Sequence, residues 1–388
     1  MSLNDTADAD IACENDRFGS MGDMAEFFLT ESEASFQRAI LASPNNFTPR
    51  LVYADWLDEH DRSIESQLLR LEAELHTYPI DDPRRASLRS RVWDLQREYD
   101  VLWQQRLPIL RGVVWGQVVH GVLNRVQLSL NVNAVIPEGL FAFLPMMQLH
   151  IDRLTPRQAA RLANRAELRS LVALSASSRE LTEDALVALL ESPHLTSLAT
   201  LQLNSMQLGD RTTETISKSP ALTGLQRLDL SGNTLSGVSG RLIAGSTTLI
   251  HLRSLSLYRN DLGDMGIVPL ADAPHLRSLE SLELMNTQMG DRGIERLTQT
   301  GILQSVREIN LCYNQIADRG AIALAKCAEI SGKRLILRSN HIGDIGAMAL
   351  AESTVFDPAT THLELGSNRF HESAKLSLDQ RYGDHVHW

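Results

Sequence analysis

The sequence predicts a curved α/β solenoid, with parallel strands on its concave face and helices on its convex face, preceded by a small all-α module. The first observation is a run of the form L-x-x-L-x-L-x-x-N-x-L, which recurs ten times in the last two thirds of the 388-residue chain. The second is the step between copies, a constant 27 residues from Leu144 to Val306. The third is a helical pattern of apolar residues between about 23 and 110. A fixed period of this length is typical of stacked repeats.

The bulk composition excludes several classes of function. The net charge is −11 and the pI is near 5.6, whereas nucleic-acid binders normally carry a basic surface. No polybasic run suited to an anionic membrane is present. Three cysteines without C-x-x-C spacing argue against a disulfide framework and a zinc site. We therefore expect a protein partner, with no nucleic acid, membrane, metal or cofactor.

The cellular compartment is predicted from three features of the chain. The start, MSLNDTADADIACENDRFGS, lacks the basic and apolar regions of a secretory signal. No run of 18 apolar residues suggests a membrane span. Cysteines that are not arranged for disulfides fit a reducing environment. We expect a cytoplasmic protein, and we expect it to be a monomer.

Domain limits follow from shifts in composition. Residues 1–22 are acidic and poor in large apolar groups, which predicts a disordered tail. Residues 23–110 predict four amphipathic helices, of which the second starts at Thr48-Pro49 and the fourth at Asp82-Pro83. The repeats should occupy 111–370, and residues 371–388 should cap the last apolar edge of the stack.

Part of the helical module resembles a known family. The stretch FQRAILASPNNFTPRLVYADWLDEH, followed by LLRLEAEL, is similar to the short repeat-companion domain of planctomycete bacterial proteins. The matching positions are Ala39, Ile40, Pro44, Arg50 to Leu57, Glu59, and Leu69 to Glu72. Glu72 departs from the pattern, because glutamine is usual there. The resemblance implies a domain found beside repeat arrays, and it carries no known chemistry.

The Y-A-D-W core of this stretch also has a physical interpretation. Tyr53 and Trp56 lie three residues apart on one helix face and should fill the core of the module. Asp55 can accept a hydrogen bond or pair with a nearby arginine such as Arg50 or Arg62. Two alternatives remain, namely a docking surface and a catalytic pocket. A pocket would require polar side chains to converge, and its candidates are Asp55, Glu59, Arg50 and His60.

Each repeat predicts a short strand, a polar turn and a helix. Strands stack about 4.8 Å apart and helices about 8–10 Å apart, so the stack must curve with the strands inside. The acids at the helix starts should cap free N–H groups. They are Asp184, Asp210, Asp264, Asp291, Asp318 and Asp344. From Leu123 to Phe370 the pattern resembles leucine-rich repeats of the ribonuclease-inhibitor type.

An asparagine column recurs where the chain turns after each strand. Its members are Asn131, Asn233, Asn260, Asn314, Asn340 and Asn368. An asparagine side chain can satisfy both the N–H and the C=O groups of a buried turn, which predicts a structural role. Asp152 and Thr287 should do part of this work, whereas Arg179 and Met206 cannot. We therefore expect looser or differently turned third and fourth repeats. A ligand array is the less favoured interpretation of the column.

The candidate binding site is the row of side chains that flank the strand leucines and line the concave face. The principal positions are Arg227, Asp229, Ser254, Ser256, Tyr258, Glu283, Met285, Glu308, Asn310, Arg334, Arg338 and Glu364. Tyrosine and arginine are frequent binding hot spots, which favours Tyr258, Arg227, Arg334 and Arg338. The alternative is an unused, solvated face.

Three functions remain open, with binding favoured over catalysis. No known catalytic or nucleotide-binding motif occurs, and Asp384, His385 and His387 form too small a cluster to predict a metal site. The leading hypothesis is a non-enzymatic scaffold for protein–protein interaction. The second is an enzyme regulator, either an inhibitor or a GTPase activator that inserts Arg259 or Arg292 into its partner. The third is catalysis by the helical module.

Overall fold

The computed structural model describes residues 31–42, 46–79, 81–106, 109–116, 118–119, 122–123, 125–136, 140 and 147–388. The chain divides into two compact units. One comprises Met1–Val126 and Pro137–Met147, and the other comprises Gln127–Ile136 and Gln148–Trp388. The tail predicted for 1–22, the residues Phe27 and Phe28 of the first predicted helix, and the repeat start at Leu144 lie outside the described residues.

The first unit contains the four predicted helices. They are α1 (Glu31–Ala42), α2 (Thr48–Glu59), α3 (Ser63–Thr77) and α4 (Arg84–Arg106). The residue at the cap of α2 is Phe47 and not Thr48, whose N–H instead donates to Asn46 Oδ1 at 3.0 Å. Asp82 does cap its helix, since its Oδ1 accepts the Arg84 N–H at 2.9 Å. Proline and a nearby polar side chain thus mark both helix starts, as the sequence predicts.

The core of the first unit forms around Tyr53, which is 1% exposed. Phe36 stacks on its ring at 5.3 Å, and Trp56 packs partly buried against the same cluster. Tyr53, Ala54 and Leu57 set the buried stripe of α2. Leu51 and Val52 lie outside that stripe and are exposed, because one helix buries only one such stripe.

Four short strands follow α4. They are β1 (Val113–Trp115), β2 (Val118–Val119), β3 (Val122–Leu123) and β4 (Arg125–Ser129). Strands β2 and β3 pair antiparallel. Strand β4 begins in the first unit and ends in the second.

The second unit is an alternation of strands and helices. Its further strands are β5 (Met147–Arg153), β6 (Leu171–Ala176), β7 (Thr200–Leu203), β8 (Arg227–Asp229), β9 (Ser254–Ser256), β10 (Ser281–Glu283), β11 (Glu308–Asn310), β12 (Arg334–Ile336), β13 (His362–Glu364) and β14 (Val386–His387). Its helices are α5 (Pro156–Ala163), α6 (Glu183–Leu190), α7 (Asp210–Lys218), α8 (Gly237–Ala244), α9 (Gly263–Asp272), α10 (Asp291–Leu297), α11 (Asp318–Ala325), α12 (Asp344–Ala351) and α13 (Glu372–Tyr382).

These strands form one parallel ribbon in sequence order. The register aligns equivalent positions of successive repeats, as in the pairings Leu228 with Leu255 and Leu335 with Leu363. These strand leucines are buried. The predicted solenoid, with parallel strands on the concave face and helices on the convex face, is therefore confirmed.

Acidic residues at the helix starts tie each repeat to the next one. Asp264 Oδ1 accepts the N–H groups of Gly290 and Gly293 at 2.8 and 2.9 Å. A Cβ atom on Gly293 would lie 2.8 Å from that same oxygen, so glycine is what lets the carboxylate approach. The capped N–H groups thus belong to the following repeat and not to the helix that carries the acid.

Asp210, Asp291 and Asp318 make the same contact with two N–H groups of the next repeat, whereas Asp344 binds the N–H and the ring of His371. Two other repeats also differ. Asp184 is exposed and pairs with Arg211, and the adjacent Glu183 caps the next helix instead. Gly237 stands where an acid would be, and here the helices approach closely. A Cβ on Gly240 of α8 would lie 2.4 Å from the Gly266 carbonyl oxygen of α9.

The asparagine column bridges neighbouring turns. Asn233 Oδ1 accepts the N–H groups of Met206 and Leu208 at 3.0 and 3.1 Å. Its Nδ2 donates to the carbonyls of Leu203 and Leu230 at 2.7 and 2.8 Å. Equivalent contacts are made by Asn260, Asn314, Asn340 and Asn368. Each of these amides thus satisfies groups from two repeats.

Asn131 does not share this position. Its side chain is exposed and accepts a hydrogen bond from Arg153 at 3.3 Å. Gln158 serves that turn instead, since its Nε2 donates to the carbonyls of Asn131 and Ala134, each at 2.8 Å. Asp152 also differs from its predicted role, because its carboxylate binds Gln127 and His150.

Two of the repeats without asparagine use a different turn. Where Met206 and Thr287 replace it, the following residues Gln207 and Gln288 both adopt a φ of 61°. This left-handed conformation is uncommon for residues other than glycine. Thr287 also donates its hydroxyl to the Leu284 carbonyl at 2.9 Å, which is part of the expected work. The fourth repeat is therefore differently turned, as the Met206 substitution predicts.

Candidate functional site

The candidate site is the concave face, and the strand register arranges its side chains in three rows. The first row comprises Arg227, Ser254, Ser281, Glu308, Arg334 and His362. The second row comprises Asp229, Ser256, Glu283, Asn310, Ile336 and Glu364. The third row continues two residues further, with Ser231, Tyr258, Met285, Cys312, Arg338 and Gly366. The candidate residues predicted from the sequence thus lie together on one surface.

The C-terminal half of this face is occupied by its own ion pairs. Glu364 is 7% exposed and pairs with both Arg334 and Arg338. Arg334 also pairs with Glu308 at 3.2 Å. The hydrogen bond that Arg334 donates to the Glu364 carboxylate raises the pKa of Arg334, so this guanidinium stays charged. Two of the four predicted hot spots are therefore neutralised within the protein.

The end of the ribbon limits access further. Arg338 donates to the Trp388 carbonyl at 3.2 Å, and the Gly366 position lies against the Trp388 backbone. His362 of the first row contacts the ring of His385 at 4.4 Å between centroids. Cys312 is 5% exposed, and burial raises the pKa of its thiol. These contacts make the C-terminal half the more closed part of the face.

The N-terminal half is more open. Arg227 and Glu283 are exposed, and Tyr258 and Met285 are half-buried. Asp229 is held by Asn204, whose Nδ2 donates to it at 2.6 Å. An aromatic ring, a thioether and a guanidinium within three adjacent repeats provide the mixture of apolar area and charge that binding hot spots use.

A concavity borders this half at the edge where the strands begin. Its volume is about 580 Å³. It is lined by Gln226, Arg227, Arg253, Ser254, Glu280, Ser281 and Arg307, and we call it the rim concavity. The sequence prediction missed Arg253 and Arg307 because it considered only the positions that flank the leucines. The available signal was an arginine directly before the strand in two repeats.

A second polar cluster lies on the first strands of this unit. His150 is 8% exposed, and its ring nitrogens contact Ser175 Oγ at 2.9 Å and Asp152 Oδ1 at 3.1 Å. Hydroxyl, imidazole and carboxylate groups in series occur in nucleophilic catalysis. Here, however, His150 and Asp152 are neighbours on the same face of one strand, so strand geometry alone brings them together. We interpret the cluster as a network that satisfies a buried histidine.

The helical module does not bring its candidate residues together. Asp55 pairs at the surface with an arginine, as predicted, and that arginine is Arg70. Arg50 donates to the Asn46 carbonyl at 3.2 Å and lies over the Phe47 ring. His60 stacks on Trp56 at 3.8 Å, and Glu59 is exposed. With Tyr53 and Trp56 in or against the core, these positions supply no argument for catalysis.

The described ranges show neither a metal cluster nor a membrane-spanning helix. Those residues contain no group of three or more histidine, cysteine or acidic side chains able to hold a metal ion. No helix in the same part of the chain has the length and apolar character needed to span a bilayer.

Comparisons with known proteins identify the repeats. A family model described as Leucine Rich repeat matches residues 248–271, 275–297, 303–325 and 333–351, and a related Leucine Rich Repeat model matches residues 224–245. The chain carries leucine-rich repeats. The matched segments include strands β9 to β12 and their helices, which form the central part of the candidate face.

One similar solved structure is the internalin inlF of Listeria monocytogenes str. 4b F2365. It shares 17% identity, covers 68% of this chain and 86% of its own, and has a TM-score of 0.39. This similarity is too low to extend any property of internalin to the present leucine-rich repeats. No curated protein matches the chain.

Proposed function

We propose that the protein is a non-enzymatic scaffold that binds a partner protein through the concave face of its leucine-rich repeats. The observation that carries this proposal is the occurrence of Arg227 in the first row and of Tyr258 and Met285 in the third row on three adjacent repeats, where all three remain exposed or half-buried. The buried leucines and asparagines hold these positions rigidly. A rigid surface loses little entropy on binding, which favours affinity.

The same proposal includes a more specific description of the architecture. A helix in nearly every repeat and a period of 27 residues support the ribonuclease-inhibitor-like type. The Y-A-D-W core supports an N-terminal repeat-companion domain of bacterial origin. The free, buried thiols of Cys312 and Cys327 support a reducing, cytoplasmic environment. We propose that the protein acts as a monomer.

The test is site-specific photocrosslinking in native cells. A benzophenone amino acid replaces Tyr258 on the concave face or Met265 on the convex face, where Met265 is 66% exposed. We expect a discrete protein adduct from position 258 and none of that mass from position 265. The same adducts from both positions would contradict use of the concave face. So would the absence of any adduct both from position 258 and from a second probe that replaces Met285.

A second candidate function is regulation of an enzyme through an inserted arginine. Arg259 favours it, because this exposed side chain sits on a turn with a φ of 55°, beside Tyr258. Arg292, at the start of α10, is also exposed. If a crosslinked partner proves to be an enzyme, its activity should change on binding, and alanine at both arginines should abolish that change without releasing the partner. A full effect that persists in the double variant excludes this mechanism.

A further inference from the structure

The rim concavity is a positively charged site on an acidic protein. The whole chain carries a net charge of −11. Three arginines nevertheless line this one concavity, together with a single acid, Glu280. Clefts lined by one sign of charge concentrate ions of the opposite sign. The site therefore favours an anionic ligand, although the net charge of the whole protein is negative.

The arginines of the rim concavity are available, unlike others on the concave face. Arg334 and Arg338 are neutralised by Glu308 and Glu364 together. Arg227 and Arg307 form no ion pair with any residue that the structure describes. Arg253 donates to the Ser278 carbonyl at 3.2 Å, which fixes its side chain without neutralising its charge.

The backbone places Arg253, Glu280 and Arg307 at equivalent positions of successive repeats, with Glu280 between the two arginines. The Gln226 carbonyl accepts the N–H groups of Arg253 and Ser254 at 2.8 and 3.0 Å. The Arg253 carbonyl accepts those of Glu280 and Ser281 at 2.8 and 3.1 Å. Adjacent strands lie about 4.8 Å apart, so Arg253 before β9 and Arg307 before β11 are offset by roughly 10 Å along the ribbon. An extended peptide covers that distance in about three residues.

The neighbouring rows restrict where an anionic ligand can lie. Asp229 and Glu283 occupy the second row, and Glu308 lies in the first row beside Arg307. An acidic segment laid over the centre of the face would meet these carboxylates and be repelled. A segment that follows the strand-start edge instead meets three arginines and one carboxylate, Glu280, together with the neutral donors of Gln226, Ser254 and Ser281.

Resting on the proposed function, we propose that the rim concavity binds an acidic, extended peptide segment of the partner protein. The segment crosses the strands along their starting edge. Its carboxylates, two or three residues apart, pair with Arg227, Arg253 and Arg307. Charge-assisted hydrogen bonds from guanidinium to carboxylate supply both affinity and direction.

The test pans a random 12-residue peptide library displayed on phage against the full chain. The test variant combines Arg227→Ala with Arg307→Ala. The control variant combines Arg296→Ala with Arg319→Ala on the convex helices, which produces the same change of net charge. Circular dichroism verifies that both variants fold. Peptides enriched on the wild-type protein are then synthesised, and their affinities are measured by fluorescence anisotropy.

The proposal expects an excess of aspartate and glutamate in the enriched peptides relative to the input library. Their affinity should fall at least about tenfold in the test variant, equal to about 1.4 kcal/mol, and should be retained in the control. It should also weaken as salt rises from about 0.1 M to about 1 M, where the screening length shrinks from about 10 to about 3 Å. Enrichment without an acidic excess, or equal affinity in both variants, overturns the proposal.

The same experiment separates this inference from the proposed function. Peptides that are not acidic but lose binding on Tyr258→Ala and Met285→Ala would leave the concave face in use and refute only the acidic segment. A library in which no enriched peptide responds to any substitution on the concave face would count against both.

Discussion

Replacing Asn314 by alanine tests whether the asparagine column holds the repeats together. Asn314 Oδ1 accepts the N–H groups of Thr287 and Met289 at 3.0 and 3.1 Å. Both residues are buried. Alanine removes the acceptor and leaves two buried N–H donors without a partner, because a methyl group accepts no hydrogen bond.

The carbonyls that Asn314 serves are affected less. Leu284 O also accepts from Thr287 Oγ1 at 2.9 Å, and Leu311 O also accepts from Asn340 Nδ2 at 2.9 Å. Each therefore keeps one donor in the variant. The cost of the substitution should come mainly from the two N–H groups and not from the full set of lost hydrogen bonds.

The magnitude follows from this count. An unsatisfied buried polar group costs roughly 1–3 kcal/mol, so two N–H groups predict a loss of roughly 2–6 kcal/mol. Water entering the space of the lost amide would bring the value toward the lower end. We expect about 3 kcal/mol, a large share of the roughly 5–15 kcal/mol by which native proteins are stable.

Urea denaturation followed by circular dichroism measures this loss. The matched control is Asn310→Ala, four residues earlier, where Asn310 is half-buried and its Oδ1 accepts from Cys312 N at 3.2 Å. The control should lose no more than about 1 kcal/mol. Equal losses in the two variants, or a loss below 1 kcal/mol at Asn314, would refute the argument that bridging amides stabilise the stack.

Two further predictions concern the helices. Gly240→Ala should destabilise the protein by about 1–3 kcal/mol in the same urea assay, because its Cβ would clash with the Gly266 backbone. The control is Gly224→Ala, whose Cβ would have no neighbour closer than 3.8 Å. It should change stability by less than about 0.5 kcal/mol. Burial acts to raise the pKa of Asp210, but hydrogen bonds from Ser236 and Ser239 outweigh it and lower the pKa. The stability difference between wild type and Asp210→Asn should therefore be fully present above about pH 4, which is the pKa of an aspartate in the unfolded chain. It should shrink as the pH falls below that value. A difference that grows on acidification would contradict this explanation.

The repeat pattern determined much of what the sequence could predict. The constant 27-residue step identified which leucines are buried and which side chains share a strand face, and the register of β8 to β13 agrees with that assignment. Local signals such as Asp82-Pro83 also placed helix starts closely. These features depend on periodicities of a few residues, which a single sequence displays directly.

Features that depend on contacts between repeats were harder to predict. The rim concavity exists because Arg227, Arg253 and Arg307 come from strands that only the stacked register brings together. The burial of Glu364 under two arginines likewise depends on neighbours more than 25 residues away. The prediction that Asn131 belongs to the asparagine column was wrong. Its repeat does not keep the regular 27-residue spacing, so its sequence matches the pattern although its position in the turn differs. The domain limits predicted at 22, 110 and 370, and the binding role of the face, stay predictions.

The acidic and asparagine contacts run in opposite directions along the array. Asp264 serves the helix that follows its own, whereas Asn314 serves the turn that precedes its own. Cutting the chain at any boundary between such repeats would leave N–H groups without acceptors on both sides of the cut. One set lies at a helix start and the other lies in a turn. No single repeat of this kind can be self-sufficient, so the array should melt in large blocks and not one repeat at a time. Such interlocking sets a minimum length for any fragment meant to carry the concave face on its own.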